Sequence, residues 1–139
     1  MGGRERRGER WKGRTRGAQI ADDGTARSHP NQKPEVVAPG VSVISTGNDG
    51  NYYESTGSSI STVFITGILA LILEDNPQLK PGDNTRNSDC IEAVKWALKN
   101  SSVALIEGIE HDDNWGYGAV SAIAWAQEVN NNDNCSAEY

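Results

Sequence analysis

Ser59 is the residue whose setting points most directly to chemistry. It follows Gly57 and Ser58 and precedes Ile60, Val63, Phe64, Ile68, Leu71 and Ile72, apolar residues at helical spacing. A hydroxyl in the first turn of such a helix lies beside exposed backbone N–H groups and the positive end of the helix dipole. That setting favours negative charge developing on a substrate carbonyl oxygen. Serine at a helix start is also the ordinary N-cap, so position alone does not make a nucleophile. A serine hydroxyl attacks poorly without a general base held in place by a third group. The two histidines are His29, in the same turn-rich stretch as Asp23, and His111, beside Asp112 and Asp113. A makeshift triad from Asp23 and His29 is disfavoured, and His111 is expected to be a solvated loop residue.

The elements that must position Ser59 read as follows. Val36 and Val37, then Val41, Val43 and Ile44, are β-branched residues around Ala38-Pro39-Gly40, predicting one or two short strands bent at the Pro-Gly. Asn48-Asp49-Gly50-Asn51 is a turn leading into an extended Tyr52-Tyr53. The helix after Ser59 is apolar nearly all round, since Ile65, Leu69 and Leu73 fill the side opposite Ile68 and Ile72. Such a helix is expected to be buried and sheathed by other elements. It ends at Glu74-Asp75-Asn76-Pro77. A second helix should start at a capping box, Asp89 to Glu92, with Ile91, Val94, Ala97 and Leu98 as its stripe. A third is expected from about Ala119 to Val129. Trp96 and Trp125 read as packing residues on the second and third helices.

Composition bounds the function. A chain of 139 residues, 36% of them hydrophobic, can build one modest core and is not a disulfide-dense miniprotein. The apolar run from Val63 to Leu73 is shorter than the roughly 20 residues of a membrane span, so no membrane partner is expected. The first sixteen residues are basic without a following apolar stretch, and no export signal is read there. Residues 1–33 hold nine Lys and Arg against four acids, while the remainder holds four against 15. The body is therefore acidic and unsuited to phosphate, and only the arm from Arg4 to Arg16 could contact nucleic acid. Residues 1–32 read as a basic arm and loop, 33–129 as the folded part and 130–139 as a polar tail. The arm also reads as a solvated extension, or as a stretch foreign to the fold.

Four blocks in order carry a family resemblance. Gly57-Ser58-Ser59-Ile60-Ser61, with Gly67 eight positions after Ser59, resembles Gly-Thr-Ser-Met-Ala, the nucleophile motif of the subtilisin-like serine proteases. Lys33-Pro34-Glu35-Val36-Val37-Ala38-Pro39-Gly40 followed by Ile44-Ser45-Thr46 is similar to the segment preceding that motif. Asn76-Pro77-Gln78-Leu79 resembles the stretch after the serine helix, and Gly116-Tyr117-Gly118-Ala119-Val120-Ser121-Ala122 the closing Gly-x-Gly-x-Val-Asn/Asp-Ala. The resemblance implies an α/β fold, the C-terminal portion of a subtilisin-like parallel sheet around a buried serine-bearing helix. It implies peptide-bond hydrolysis through an acyl-enzyme on Ser59, whose own N–H would be one oxyanion donor, with Gly57 and Ser58 against the peptide substrate. Val63-Phe64 replaces the usual Pro-His, a change of helix packing. The larger departure is that neither Asp-Thr-Gly nor His-Gly-Thr-His occurs; the family places both motifs well over a hundred residues before the serine, and the asparagine of the oxyanion hole also lies upstream. The expected partner is therefore the missing N-terminal part of the catalytic domain, without which the chain should be nearly inactive. The competing reading is a non-catalytic structural or interaction module of the same fold.

No cofactor is expected for catalysis. Structural calcium, frequent in the family, would need oxygen ligands from Asn48–Asn51, Asp112–Asn114 or Asn130–Asn134, none with the spacing of a calcium loop; turns are the better reading. Cys90 and Cys135 are either one bridge or two free thiols. An extracellular location follows from the resemblance alone.

Overall fold

The computed structural model describes residues 19–79 and 88–131. The arm at Arg4–Arg16, Cys135 and the tail beyond residue 131 lie outside them. Element order is β1 (Val43–Thr46), β2 (Tyr52–Ser55), α1 (Ser58–Asp75), a single 3-10 turn (Pro77–Leu79), α2 (Ser88–Ser101) and α3 (Ala122–Asn131).

β1 and β2 form an antiparallel hairpin in which Val43 faces Ser55 and Thr46 faces Tyr52. Its turn is built from side-chain chemistry. The Asp49 carboxylate accepts from the Asn51 N–H at 3.1 Å and from the Tyr53 hydroxyl, and Gly50 takes φ +80. Those bonds, the tyrosine's first, hold the Asp49 carboxyl down to about 2.

A second β-like region knits distant parts of the chain. The Val37 N–H donates to Gly118 O and the Val120 N–H to Val37 O, both at 2.9 Å, a parallel pairing. Val103 and Ala119 exchange antiparallel bonds, also at 2.9 Å, on the other side. Among the described residues, Val37–Ala119 is the parallel pairing present, and the two-stranded sheet is antiparallel. The described fold is mixed helix and strand.

The core lies between the helices. Ile72, Leu79, Ala97, Leu98, Trp125 and Val129 are buried together, with Ile65, Ile68, Leu69 and Leu73 of α1 packed against them. Trp125 donates its indole N–H to Val94 O at 3.1 Å, pinning α3 to α2. Trp96 is instead 42% exposed, with the Lys99 ammonium 4.9 Å from its ring centre.

Three expectations require correction. α1 is not sheathed: Val63 is 71% exposed, Leu71 64% and Phe64 40%. One stripe of the helix meets the core, and no described element covers the other. The 18 residues of α1, at mean hydropathy 1.5, are also long and apolar enough to cross a membrane by length and composition, more than the run from Val63 to Leu73 suggested. α2 begins at Ser88, next to the expected Asp89, and the Glu92 carboxylate accepts from the Asn31 side-chain amide at 3.2 Å. α3 starts three residues later than expected, because Ala119 and Val120 are held in the β-like pairing and the Ser121 hydroxyl accepts from the Ala124 N–H at 3.4 Å.

Glu35 fastens the segment leading to Val37 to α2. Its Oε1 lies 2.8 Å from both Lys33 Nζ and Lys95 Nζ. Burial pushes the carboxyl upward, but the two ammonium groups outweigh it and hold it below its ordinary value of 4.5. A depressed carboxylate contributes stability above its unfolded value and loses it as pH falls through the folded one. Stability is therefore expected to decline as pH drops below 4.5, and Glu35→Gln to flatten that decline, read from denaturant midpoints at each pH. An unchanged slope in Glu35→Gln would show that the pair contributes nothing.

Candidate active site

The Pro39-Gly40 bend and the start of α1 meet at Gly57. Its N–H donates to Gly40 O at 2.7 Å, and Gly57 is the N-cap of α1, with no side chain capping the helix. Ser58 and Ser59 are the first two helical residues, and both are exposed. The first N–H groups of a helix lack intrahelical partners. Here the Ile60 N–H donates to Gly57 O at 3.2 Å, and the Ser59 hydroxyl makes no hydrogen bond to another described residue. Thr62 Oγ1 donates to Ser58 O at 3.0 Å, closing the first turn from within. Ser61 Oγ turns the other way, 3.0 Å from Ala38 O and 3.1 Å from Pro39 O. The contact is close: a Cβ on Gly40 would lie 2.2 Å from Ser61 Oγ and 2.9 Å from Gly57 O. The signal in the sequence for Ser61 is a hydroxyl in the first turn of an otherwise apolar helix.

Neither histidine joins this site through a hydrogen bond. His29 Nδ1 is 2.9 Å from the Tyr117 hydroxyl, and its Nε2 is 3.5 Å from Glu110 Oε2. Asp23 accepts from the Thr25 hydroxyl and N–H, so the two members of the makeshift triad have separate partners. His111 is half-buried rather than solvated. Its Nε2 donates to Pro34 O at 3.0 Å, and its ring meets the edge of Tyr117 at 4.9 Å between centres. Tyr117 is thus a hub between both imidazoles, with Lys99 5.6 Å from its ring centre. Burial raises the Tyr117 phenol above 10, and the charges of Glu110 and Glu35 add to it.

Of the candidate calcium ligands, Asn130 lies in α3 and accepts from the Asn76 side-chain amide at 2.9 Å, residues 132–134 lie outside the described residues, and two carboxylates are engaged in turns. Asp49 serves the hairpin, and Asp112 Oδ1 accepts from the Asn114 and Trp115 N–H groups at 2.8 and 3.0 Å. Among the described residues, no group of three or more His, Cys, Asp or Glu side chains is placed to hold a metal ion. Cys90, at the start of α2, is disulfide-bonded.

The family model of the subtilases, peptidases S8, matches residues 15–124, most of the chain. The chain belongs to the subtilase family. Serine protease AprX of Bacillus subtilis (strain 168) is a subtilase relative 31% identical over 105 residues, which cover 66% of this chain and 21% of AprX. The Clostridium perfringens CspB protease has a similar structure, with a TM-score of 0.59 at 26% identity over 78% of this chain and 23% of that one. This subtilase chain thus spans less than a quarter of either relative. The whole of α1 lies inside the family match, which makes it a helix of a subtilase domain, not a membrane span. Gly67, in the middle of α1, has nothing within 4 Å of where a Cβ would stand. A glycine at a helix centre costs about 1 kcal/mol relative to alanine, and a closely approaching element is the usual return for it.

Proposed function

We propose that these residues are the serine-bearing part of a subtilisin-like endopeptidase. Ser59 is the nucleophile in this reading, and it attacks the scissile carbonyl of a peptide substrate to form an acyl-enzyme. Its own backbone N–H stabilises the oxyanion, and Gly57 and Ser58 line the approach of the substrate. The general base, the carboxylate that orients it and the second oxyanion donor come from polypeptide outside these 139 residues. That polypeptide also completes the parallel sheet and covers the outer stripe of α1. The observation that carries the reading is an exposed Ser59 hydroxyl at the uncapped amino end of α1, in a chain matched by the subtilase model. The unfilled space at Gly67 and the bare Val63 and Leu71 support the missing cover. No metal enters the proposed chemistry. The disulfide at Cys90 supports an oxidising, extracellular setting.

An active-site-directed fluorophosphonate tests the assignment. The complete polypeptide that carries these residues is expected to be labelled on Ser59, and Ser59→Ala to lose the label entirely. The 139-residue chain alone should label at least 100-fold more slowly, since a positioned base contributes about 10²–10⁴-fold. No labelling in the complete polypeptide would refute the protease reading and leave a non-catalytic module of the same fold.

A further inference from the structure

We propose that Ser61 is a positioning residue, whose hydroxyl anchors the first turn of α1, and with it Ser59, to the Ala38-Pro39-Gly40 bend. The proposal rests on the reading of Ser59 as the nucleophile. Where Gly-Thr-Ser-Met-Ala has alanine, this chain has Ser61, whose hydroxyl can make a bond that alanine cannot.

Ser59 lies between two anchors on the same bend. On one side the Gly57 N–H donates to Gly40 O at 2.7 Å. On the other, the single Ser61 hydroxyl proton is shared between Ala38 O at 3.0 Å and Pro39 O at 3.1 Å. Gly40 is small enough to admit the contact, since a Cβ there would occupy the place of Ser61 Oγ. The neighbouring Thr62 hydroxyl is satisfied inside the helix, on Ser58 O, so it does not share the task. No side chain caps α1, which leaves the bend as the structure that sets where its first turn stands. The bend is itself fixed, because Val37 pairs with Gly118 and Val120 on its near side. Position matters at this end of the helix, where a displacement of about 1 Å can cost on the order of 100-fold in rate.

Two measurements on the complete polypeptide test the proposal, each with Ser61→Ala and Ser61→Thr. Hydrogen exchange at the Gly57 amide is expected to quicken about three- to tenfold in Ser61→Ala, the loss of one net hydrogen bond, with α2 and α3 unchanged. Ser61→Thr, which keeps the hydroxyl, should restore the slow exchange. Alanine is the better helix former, so a residue acting through helix propensity alone would shift first-turn exchange the other way. The second measurement is fluorophosphonate labelling of Ser59. Ser61→Ala should lower the maximal labelling rate about tenfold or more at unchanged reagent affinity, with Ser61→Thr near the parent. Equal exchange in Ser61→Ala and parent overturns the anchor, whatever Ser59 does. Faster exchange with an undiminished labelling rate overturns the positioning role. Faster exchange in a protein whose Ser59 never labels upholds the anchor and counts against the nucleophile instead.

Discussion

Trp125→Ala is expected to remove about 3–5 kcal/mol of stability, a large share of the roughly 5–15 kcal/mol that holds a typical domain folded. Trp125 is 2% exposed and lies among Ile72, Leu79, Ala97, Leu98 and Val129, so no neighbouring side chain is positioned to fill the space it would vacate. Truncation also strands Val94 O, which accepts the indole N–H at 3.1 Å, in the α2–α3 contact. Trp125→Phe keeps most of the apolar bulk but loses the indole N–H, so its smaller cost, about 1–3 kcal/mol, reports mainly the stranded Val94 O. Denaturant midpoints followed by circular dichroism measure both. A loss below about 1 kcal/mol for the alanine variant would mean that the core does not depend on this ring. The consequence reaches the candidate site, because the same cluster holds α1 through Ile65, Ile68, Leu69 and Ile72.

Gly118→Ala should cost more than about 3 kcal/mol, through backbone rather than packing. Gly118 has φ +130, where an L side chain is strained, and a Cβ there would stand 2.1 Å from Val103 O and 2.6 Å from Val103 C. Val103 cannot step aside, because it exchanges two hydrogen bonds with Ala119. Relief would require giving up either that pairing or the Val37 bond to Gly118 O. The damage then passes along Val37 to the bend that carries Gly57 and Ser61. Gly67→Ala in the 139-residue chain is the control of opposite sign. Nothing lies near its Cβ position, so the better helix former should stabilise by about 0.5–1 kcal/mol. Equal stabilities for Gly118→Ala and the parent would contradict the close backbone approach.

Much of the fold was legible because it is local. The Asp49-Gly50 turn, the β-branched Val43-Ile44 and the apolar run after Ser59 each hold their conformational signal within a few residues, and β1, β2 and α1 stand where those signals put them. The four ordered motif blocks identified the family, since each combines glycine, proline and hydroxyl residues at spacings that few other chains share. The start of α3 was less legible, because Ala119 is drawn into pairing with Val37 and Val103, residues far away in sequence.

The residue types and their order determined by themselves the family, the elements and the placing of Ser59 in the first turn of a helix. Tertiary structure alone decided which face of α1 stands bare, that His29 and His111 meet Tyr117, and that the Ser61 hydroxyl crosses to the 38–40 bend. The reason is physical. Helical periodicity records which residues are apolar, but not whether a covering element is on hand. A histidine or serine hydrogen-bonds to whatever the fold brings within about 3 Å.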